Sequence, residues 1–481
     1  MPQPDRPGRY RASIQARATG MVRRRHRPGR YSAEPVHLPE PDERQAYRVL
    51  NLALRAGEVL LAGGAGASDV TATVMAAANA CGLERVEVDV TFTTIAVSYV
   101  RTAEVAPVTA MRTVRRRSLD YTRVTEVHNL VADLMRGRVA PDAASARLDV
   151  IRHAPHPYPR WATTVFLLGM AACLIASLGG GPLAAAVGAC ITVVVDRVSH
   201  RLSLRSVPQF FQHAFGAAIA TSTAALLVAV GVPLSSSIVV AGGIILLLPG
   251  VALVGCVHDA ITGYLVTAGA RAMEVLVLTA GIIAGVGVAL SVAVSQGVSV
   301  SVAEPSVSFS AIPLQVLAAG GASVFYALST YSPRRLVPSI FVTGGLGWGV
   351  FQVLQTAGAA HALATGAAST FVGVSAFVLS RRQQVPPLVL VAAGIVPLLP
   401  GLTIYRGMFA LAESTPFVGM VMLVQAVAIG MALAAGAILG EYLVQPSRSH
   451  VHRFERGISG PRLAGPLRWR DEDDEDTPAG A

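Results

Sequence analysis

The 481-residue sequence has few charged residues and no lysine. Asp, Glu, Lys and Arg together make up only 14% of it, and all 39 basic residues are arginine, whereas about a quarter of an ordinary soluble domain is charged. Hydrophobic residues make up 52% of the chain, and the mean hydropathy is +0.53. This composition excludes an ordinary soluble protein and predicts an integral membrane protein.

The sequence also lacks the motifs of several catalytic classes and of common metal sites. Its four cysteines show no CxxC spacing, so neither a disulfide framework nor a metal site is expected. A Walker A sequence, GxSxG and HExxH are all absent from the chain, and each of these motifs carries a specific catalytic mechanism. We therefore expect no cofactor, no metal and no enzymatic activity.

The net charge of +10 does not by itself indicate a nucleic-acid partner. The arginines fall in the tails and in short loops between apolar segments, where membrane topology places basic residues. No apolar run precedes the first predicted helix, so a cleaved secretory signal is not expected. The lipid bilayer is the expected partner of the apolar segments.

Composition divides the chain into five parts. Residues 1–42 are rich in Arg, Pro and Gly and are predicted to be a disordered tail. Residues 43–157 are predicted to form a soluble α+β domain. Two five-helix membrane repeats are predicted over 158–298 and 299–445, and 446–481 is a second disordered tail with an acidic run.

Within the predicted soluble domain, two helical patterns precede three β-rich segments, and two further helical patterns follow. The second helix is predicted to be capped by Ser68 and to end at Cys81–Gly82. Alternating or β-branched residues predict the strands. The predicted strands are 86–92, 94–100 and 105–114, and the helices that follow them are 121–135 and 143–151.

From Trp161 onward the sequence predicts about ten membrane spans, each long enough for a hydrocarbon core of about 30 Å. The spans are 161–179, 182–198, 214–232, 236–257, 274–295, 311–330, 337–355, 362–380, 386–403 and 416–440. Loops with arginine alternate with loops without it, except for the last loop, which contains Arg406. Because cytoplasmic loops collect arginine, both termini are predicted to be cytoplasmic.

Two of these spans are interrupted by the same Leu-Pro-Gly sequence, once at Pro249–Gly250 and again at Pro400–Gly401. Proline removes a backbone donor and clashes with the preceding turn, so polar backbone groups are left free at membrane depth. Interrupted segments in corresponding positions of two halves indicate the binding site of a transporter. The breaks are five spans apart, so the second repeat is predicted to be inverted relative to the first.

Ionisable and small residues near the breaks are candidates for substrate binding and proton coupling. If the chain stays helical after the first break, Asp259, Gly263 and Thr267 share one face. The guanidinium of Arg406 matches a carboxylate. The predicted substrate-binding residues are Pro249, Gly250, Gly263, Thr267, Pro400, Gly401, Tyr405 and Arg406. The predicted proton-coupling residues are Asp259, Glu274, Arg271 and Asp196. Each charged residue could instead be an interfacial anchor or part of a structural ion pair.

Several of these motifs, in this order, resemble the bacterial threonine/serine exporter family over about residues 45–445. They are Gly66–Thr73, Val86–Thr94, Pro249–Gly250 with Asp259, Gly263, Arg271 and Glu274, Pro400–Gly407, and Gly440–Glu441. One departure is Gly255, where many relatives carry asparagine.

The resemblance implies export of L-threonine and L-serine across the inner membrane by proton antiport, with a small amino acid and protons as partners. The sequence does not decide whether the protein forms a homo-oligomer. The alternatives are a dicarboxylate exporter of the same architecture, and a hydrolytic or sensing N-terminal domain anchored by the membrane part.

Overall fold

The computed structural model describes residues 42–101, 105–114, 119–232, 236–244, 247–298, 311–412 and 415–444. Both predicted tails, except residue 42, lie outside the described residues. The N-terminal part consists of two helices, a sheet and two more helices. These are α1 Glu43–Ala62, α2 Ala67–Ala80, β1 Val86–Thr91, β2 Thr94–Tyr99, β3 Val108–Thr113, α3 Tyr121–Met135 and α4 Pro141–His153.

The three strands form an antiparallel sheet in the order β1-β2-β3. Leu50, Leu54 and Leu60 of α1 are buried in one cluster with Ile95 and Val97 of β2. The α1 face is apolar at helical spacing, and the β2 residues alternate between the two faces of the sheet, so the two patterns meet in one core. Each of these elements lies within a few residues of its predicted position.

The start of α2 differs from the prediction. Its N-cap is Gly66, and Ser68 lies inside the helix, buried, with no partner for its Oγ among the described residues. The first amide of α2, that of Ala67, donates instead to Oδ1 of Asp259 at 2.8 Å. A carboxylate from a distant part of the chain therefore caps this helix, and a serine cap is not needed.

The helices after residue 160 are longer and more apolar. They are α5 Arg160–Ser177, α6 Pro182–Leu204, α7 Gln209–Ala229, α8 Ser236–Ile244, α9 Gly250–Ile261, α10 Leu265–Ser295, α11 Ile312–Ser329, α12 Val337–Thr356, α13 His361–Gln383, α14 Pro387–Gly394, α15 Gly401–Ala412 and α16 Pro416–Val444. Within the described residues, eight helices are long and apolar enough to cross a membrane, and the bent pair α14–α15 raises the number to nine. The remaining predicted span, 236–257, corresponds to α8 with α9, whose connection the structure describes only in part.

The same order of helices occurs twice. Three long helices are followed by a short pair and then by the longest helix of the half, which has 31 residues in α10 and 29 in α16. The second helix of each short pair, α9 or α15, has 12 residues. Helix pairs that pack together in the first half have counterparts in the second, and α9 packs on α16 as α15 packs on α10. The inverted orientation of the second half stays a prediction.

Small residues bring α11 and α12 close together. A methyl group at Gly320 would lie 2.8 Å from the carbonyl oxygen of Phe341, and one at Gly345 would lie 3.0 Å from that of Val316. Glycine at these positions allows the two backbones to approach, as is common between membrane helices. The same two helices carry the pair of glutamines described below.

Candidate functional site

Both Leu-Pro-Gly sequences interrupt a helix and start a new one. The amide of Leu253 donates to the carbonyl of Pro249 at 2.9 Å, and the amide of Ile404 donates to that of Pro400 at 3.0 Å. These are the first turns of α9 and α15. The earliest amides of a helix have no acceptor within it, so each break places the N-terminal end of a helix inside the apolar region.

The two breaks are in contact with each other. A methyl group at Gly250 would lie 2.5 Å from Cδ2 of Leu399, the residue before Pro400. Carbon atoms do not approach so closely, and the missing side chain of Gly250 makes room for Leu399. The two interrupted segments therefore meet, as the repeated motif suggests.

A cavity of about 450 Å³ lies on one side of this contact, and we call it the Asp196 cavity. Pro249 and Gly250 line it together with Val396 and Leu399. The arginine, aspartate and histidine residues that line it are Arg160, Asp196, Arg197 and His200. The Arg160 guanidinium lies 2.7 Å from Nδ1 of His200, and Arg197 donates to Thr164 Oγ1 at 3.1 Å. Asp196 is half-buried beside these arginines.

A second cavity, of about 320 Å³, is lined by Pro400, Gly401 and Arg406, and we call it the Arg406 cavity. Val396 and Leu399 line both cavities and so separate them. The prediction that Arg406 lies in a loop is wrong. Gly401 starts a helix again, and Arg406 lies half-buried in α15.

The Arg406 cavity has polar side chains among a largely apolar lining, and little charge. Among the described residues that line it, Arg406 is the only aspartate, glutamate or arginine. The other polar lining residues are Ser177, Gln315, Trp348, Gln352, Gln355, His361, Thr403 and Gln425. These residues were not predicted from the sequence. A signal was present, because Trp348, Gln352 and Gln355 are spaced to share one face of α12.

Asp259 and Arg271 line neither cavity. They lie against the turn between α1 and α2, where Oδ2 of Asp259 is 3.2 Å from Nε of Arg271 and Nη2 of Arg271 donates to the carbonyl of Ala65 at 3.0 Å. With the bond from Ala67 to Asp259, these four residues join the N-terminal part to α9 and α10, and we call them the domain clamp. Both charged side chains are at least 95% buried.

Gly263 and Thr267 lie outside both cavities, and Thr267 belongs to the same contact with the N-terminal part. Thr267 Oγ1 donates to the carbonyl of Val90 in β1 at 3.0 Å. The expectation that Asp259, Gly263 and Thr267 share one helical face is wrong, because α9 ends at Ile261 and Gly263 turns the chain with φ +91°. That left-handed conformation favours glycine.

The remaining predicted residues are separate from the cavities. Glu274 is half-buried in α10 and lines neither of them. Tyr405 is fully buried beside Met408 and Phe409 in an apolar cluster. The structure thus brings six of the predicted residues to the cavities, three to each: Pro249, Gly250 and Asp196, and Pro400, Gly401 and Arg406.

Two glycines make room for the groups of the domain clamp. A methyl group at Gly66 would lie 2.6 Å from Nδ1 of the buried His258. A methyl group at Gly255 would overlap Nη1 of Arg271. The missing side chain of Gly255 therefore leaves space for the guanidinium.

Replacing Gly66 by alanine should lower the thermal unfolding midpoint of the purified protein, because forcing a methyl group into a packed contact costs about 1–3 kcal/mol. Gly181→Ala is the matched control. Gly181 is also an N-cap residue with negative φ, and a methyl group there meets nothing within 4 Å. Equal midpoints for the two variants would contradict the close contact at Gly66.

Long apolar helices, two interrupted helix pairs in contact and a cavity on each side of that contact define a multi-pass membrane protein. Interrupted helices around a central site are typical of secondary transporters. The sequence comparisons agree with this class. Two family models described as threonine/serine exporter match residues 51–293 and 315–443.

Individual relatives carry the same description. The chain is 40% identical over 417 residues to a protein of Mycobacterium tuberculosis named "Probable threonine/serine exporter", covering 85% of this chain and 78% of that protein. It is 31% identical over 424 residues to a protein of Corynebacterium glutamicum named "Threonine/serine exporter", covering 86% of each. The chain therefore belongs to the threonine/serine exporter family, and the resemblance is confirmed. No solved structure matches it.

Proposed function

We propose that this protein exports small hydroxy amino acids, L-threonine and L-serine, across the inner membrane. Membership of the family supports amino-acid export, and the Arg406 cavity is the observation that carries the proposal. It combines one guanidinium, uncharged hydrogen-bonding groups and the N-terminal end of α15. The substrate carboxylate binds Arg406 and this helix end, because both favour an anion.

A dicarboxylate is the weaker alternative for the same cavity. A dianion would need a second cation besides Arg406, and Arg271 is the only other arginine among the predicted site residues. Arg271 is held in the domain clamp by Asp259 and by the carbonyl of Ala65. One arginine in the Arg406 cavity fits one carboxylate.

The proposed transport cycle alternates access between the two cavities across Val396 and Leu399. The Asp196 cavity is assigned to the cytoplasmic side because two arginines and a histidine line it, and cytoplasmic ends of membrane helices collect arginine. Both chain termini are then cytoplasmic. The inverted arrangement of the two halves would give the cycle its symmetry.

Among the predicted proton-coupling residues, Asp196 is the best placed. It lines a cavity and is half-buried, so it can exchange a proton with water while its charge is partly desolvated. Asp259 is fully buried in the domain clamp, where a proton would have to cross packed side chains. We therefore assign proton antiport to Asp196.

The proposal is tested by loading cells that lack their own threonine exporters with threonine dipeptides or serine dipeptides and measuring amino-acid efflux. Cells making this protein should release L-threonine and L-serine faster than cells with an empty vector, and an uncoupler should abolish the difference. Equal efflux at a verified amount of membrane protein would refute the proposed function. Uncoupler-resistant efflux would refute proton coupling only.

Gly250→Ala should reduce threonine efflux about tenfold, since the added methyl group displaces Leu399 from the barrier between the cavities. Leu399→Ala in the same protein should restore much of the rate because it removes the group that clashes. Gly287→Ala is the control, since a methyl group there meets nothing within 4 Å. Equally low rates in the single and double variants would show that the contact does not limit transport.

A further inference from the structure

Two glutamines connect α11 and α12 in the wall of the Arg406 cavity. Nε2 of Gln352 donates to Oε1 of Gln315. Only 4% of Gln315 and 5% of Gln352 is exposed, and both side chains line the cavity. Burying an amide is unfavourable unless its donors and acceptors form hydrogen bonds. The N–H groups and oxygen atoms of this pair that are not used in the Gln352–Gln315 bond therefore need partners.

The bond between them uses one donor of Gln352 and the oxygen of Gln315. A glutamine side chain has two N–H donors and an oxygen that can accept twice. Gln315 therefore still offers its N–H groups and Gln352 its oxygen, and no other bond of these groups is found within the described part of the chain. The indole N–H of Trp348, one turn earlier on α12, is buried and also has no acceptor there.

A wall with both unused donors and an unused acceptor is complementary to a hydroxyl group, which donates one hydrogen bond and accepts others. A methyl group in the same place would leave the amide groups unsatisfied. A charged group would meet no opposite charge on this wall, because Arg406 is the cavity's only arginine, aspartate or glutamate among the described residues.

We infer that the Gln315–Gln352 pair binds the side-chain hydroxyl of the substrate and sets the preference for hydroxy amino acids over apolar ones of the same size. This inference rests on the proposed function, because it assigns substrate contacts within the same cavity. Arg406 holds the carboxylate, and the glutamine pair distinguishes threonine from valine, in which a methyl group replaces the hydroxyl.

The test compares competitors of threonine transport in vesicles that contain the full-length protein. With the wild type, valine should inhibit threonine uptake only at much higher concentrations than serine. In Gln352→Leu, the ratio of the two inhibitory concentrations should fall about tenfold or more, because one buried polar contact discriminates by about that factor. Gln352→Met, which keeps the length of the side chain, replaces this variant if leucine lowers the amount of protein.

Gln383→Leu is the matched control. Gln383 also bonds across two helices, from its Nε2 to Ser339 Oγ, but it lines neither cavity. Its replacement should leave the ratio of serine to valine inhibition unchanged. An unchanged ratio in Gln352→Leu, with threonine transport merely slower, would mean that the pair only holds the helices together and would overturn the inference. A wild-type protein that transports no amino acid would instead refute the proposed function itself.

Discussion

Replacing Asp259 by alanine should greatly reduce the amount of folded protein in the membrane. The carboxylate accepts from the Ala67 amide at 2.8 Å and pairs with Arg271 at 3.2 Å, and all of these groups are buried. Its loss would leave the guanidinium of Arg271 without its carboxylate, which costs about 3–5 kcal/mol. The lost helix cap adds about 1 kcal/mol. Membrane abundance and the thermal unfolding midpoint in detergent measure the effect.

Two further variants make the result specific to the domain clamp. Asp259→Ala combined with Arg271→Met should recover much of the lost stability, because an apolar pair often replaces a buried ion pair without loss. Glu58→Ala is the control, since Glu58 pairs with Arg112 and Arg152 but is partly exposed, and such pairs contribute about 1 kcal/mol or less. If Asp259→Ala is as abundant and stable as the wild type but has lost uncoupler-sensitive efflux, the carboxylate serves proton coupling instead.

The role of Asp259 shows where sequence patterns stop being informative. Its charge near a helix break made Asp259 a candidate for proton coupling. That argument used only residues close to Asp259 in the sequence. Its backbone partner is 192 residues away, and the carbonyl that binds Arg271 is 206 residues from that arginine. No periodicity or motif spacing reports a contact over such a separation. The residues were identified, but the group they bind was not.

The polar wall of the Arg406 cavity was missed for a different reason. The candidate polar residues were chosen mainly because they are ionisable, so glutamine was not among them. An uncharged amide buried between membrane helices nevertheless also needs hydrogen-bond partners. The proline breaks, by contrast, were predictable, because proline in a long apolar run leaves backbone groups unsatisfied whatever surrounds it. Arg406 was placed in a loop because the ninth span was predicted to end at residue 403, whereas the helix that starts at Gly401 continues to Ala412.

Helix α9 links the domain clamp to the barrier between the cavities. Gly250 is the first residue of α9 and contacts Leu399. Asp259 lies near the end of α9 and binds the start of α2. These two residues are separated by about 13 Å along a straight helix. Since a helix of this length moves nearly as a rigid body, a shift of α9 that changes the barrier must also move its contact with the N-terminal part.

Replacing Arg406 by glutamine should weaken threonine transport about 100-fold at unchanged abundance. Hydrogen bonds to a charged group contribute about 1.5–3 kcal/mol each, and a guanidinium can make two of them to one carboxylate. Arg406→Lys keeps the charge but not the planar fork, so it should lose less. Initial efflux rates over a range of internal threonine concentrations measure the change, which should appear mainly as a higher half-saturating concentration.

Arg335→Gln is the control for removal of one positive charge. Arg335 is exposed in the turn Arg334–Leu336 and lines neither cavity, so its loss should leave the half-saturating concentration unchanged. A dicarboxylate substrate would behave differently, because malate rather than threonine would then compete in the wild type and lose its effect in Arg406→Gln. If Arg406→Gln transports threonine with the wild-type half-saturating concentration, the carboxylate binds elsewhere, and the Arg406 cavity is not the substrate site.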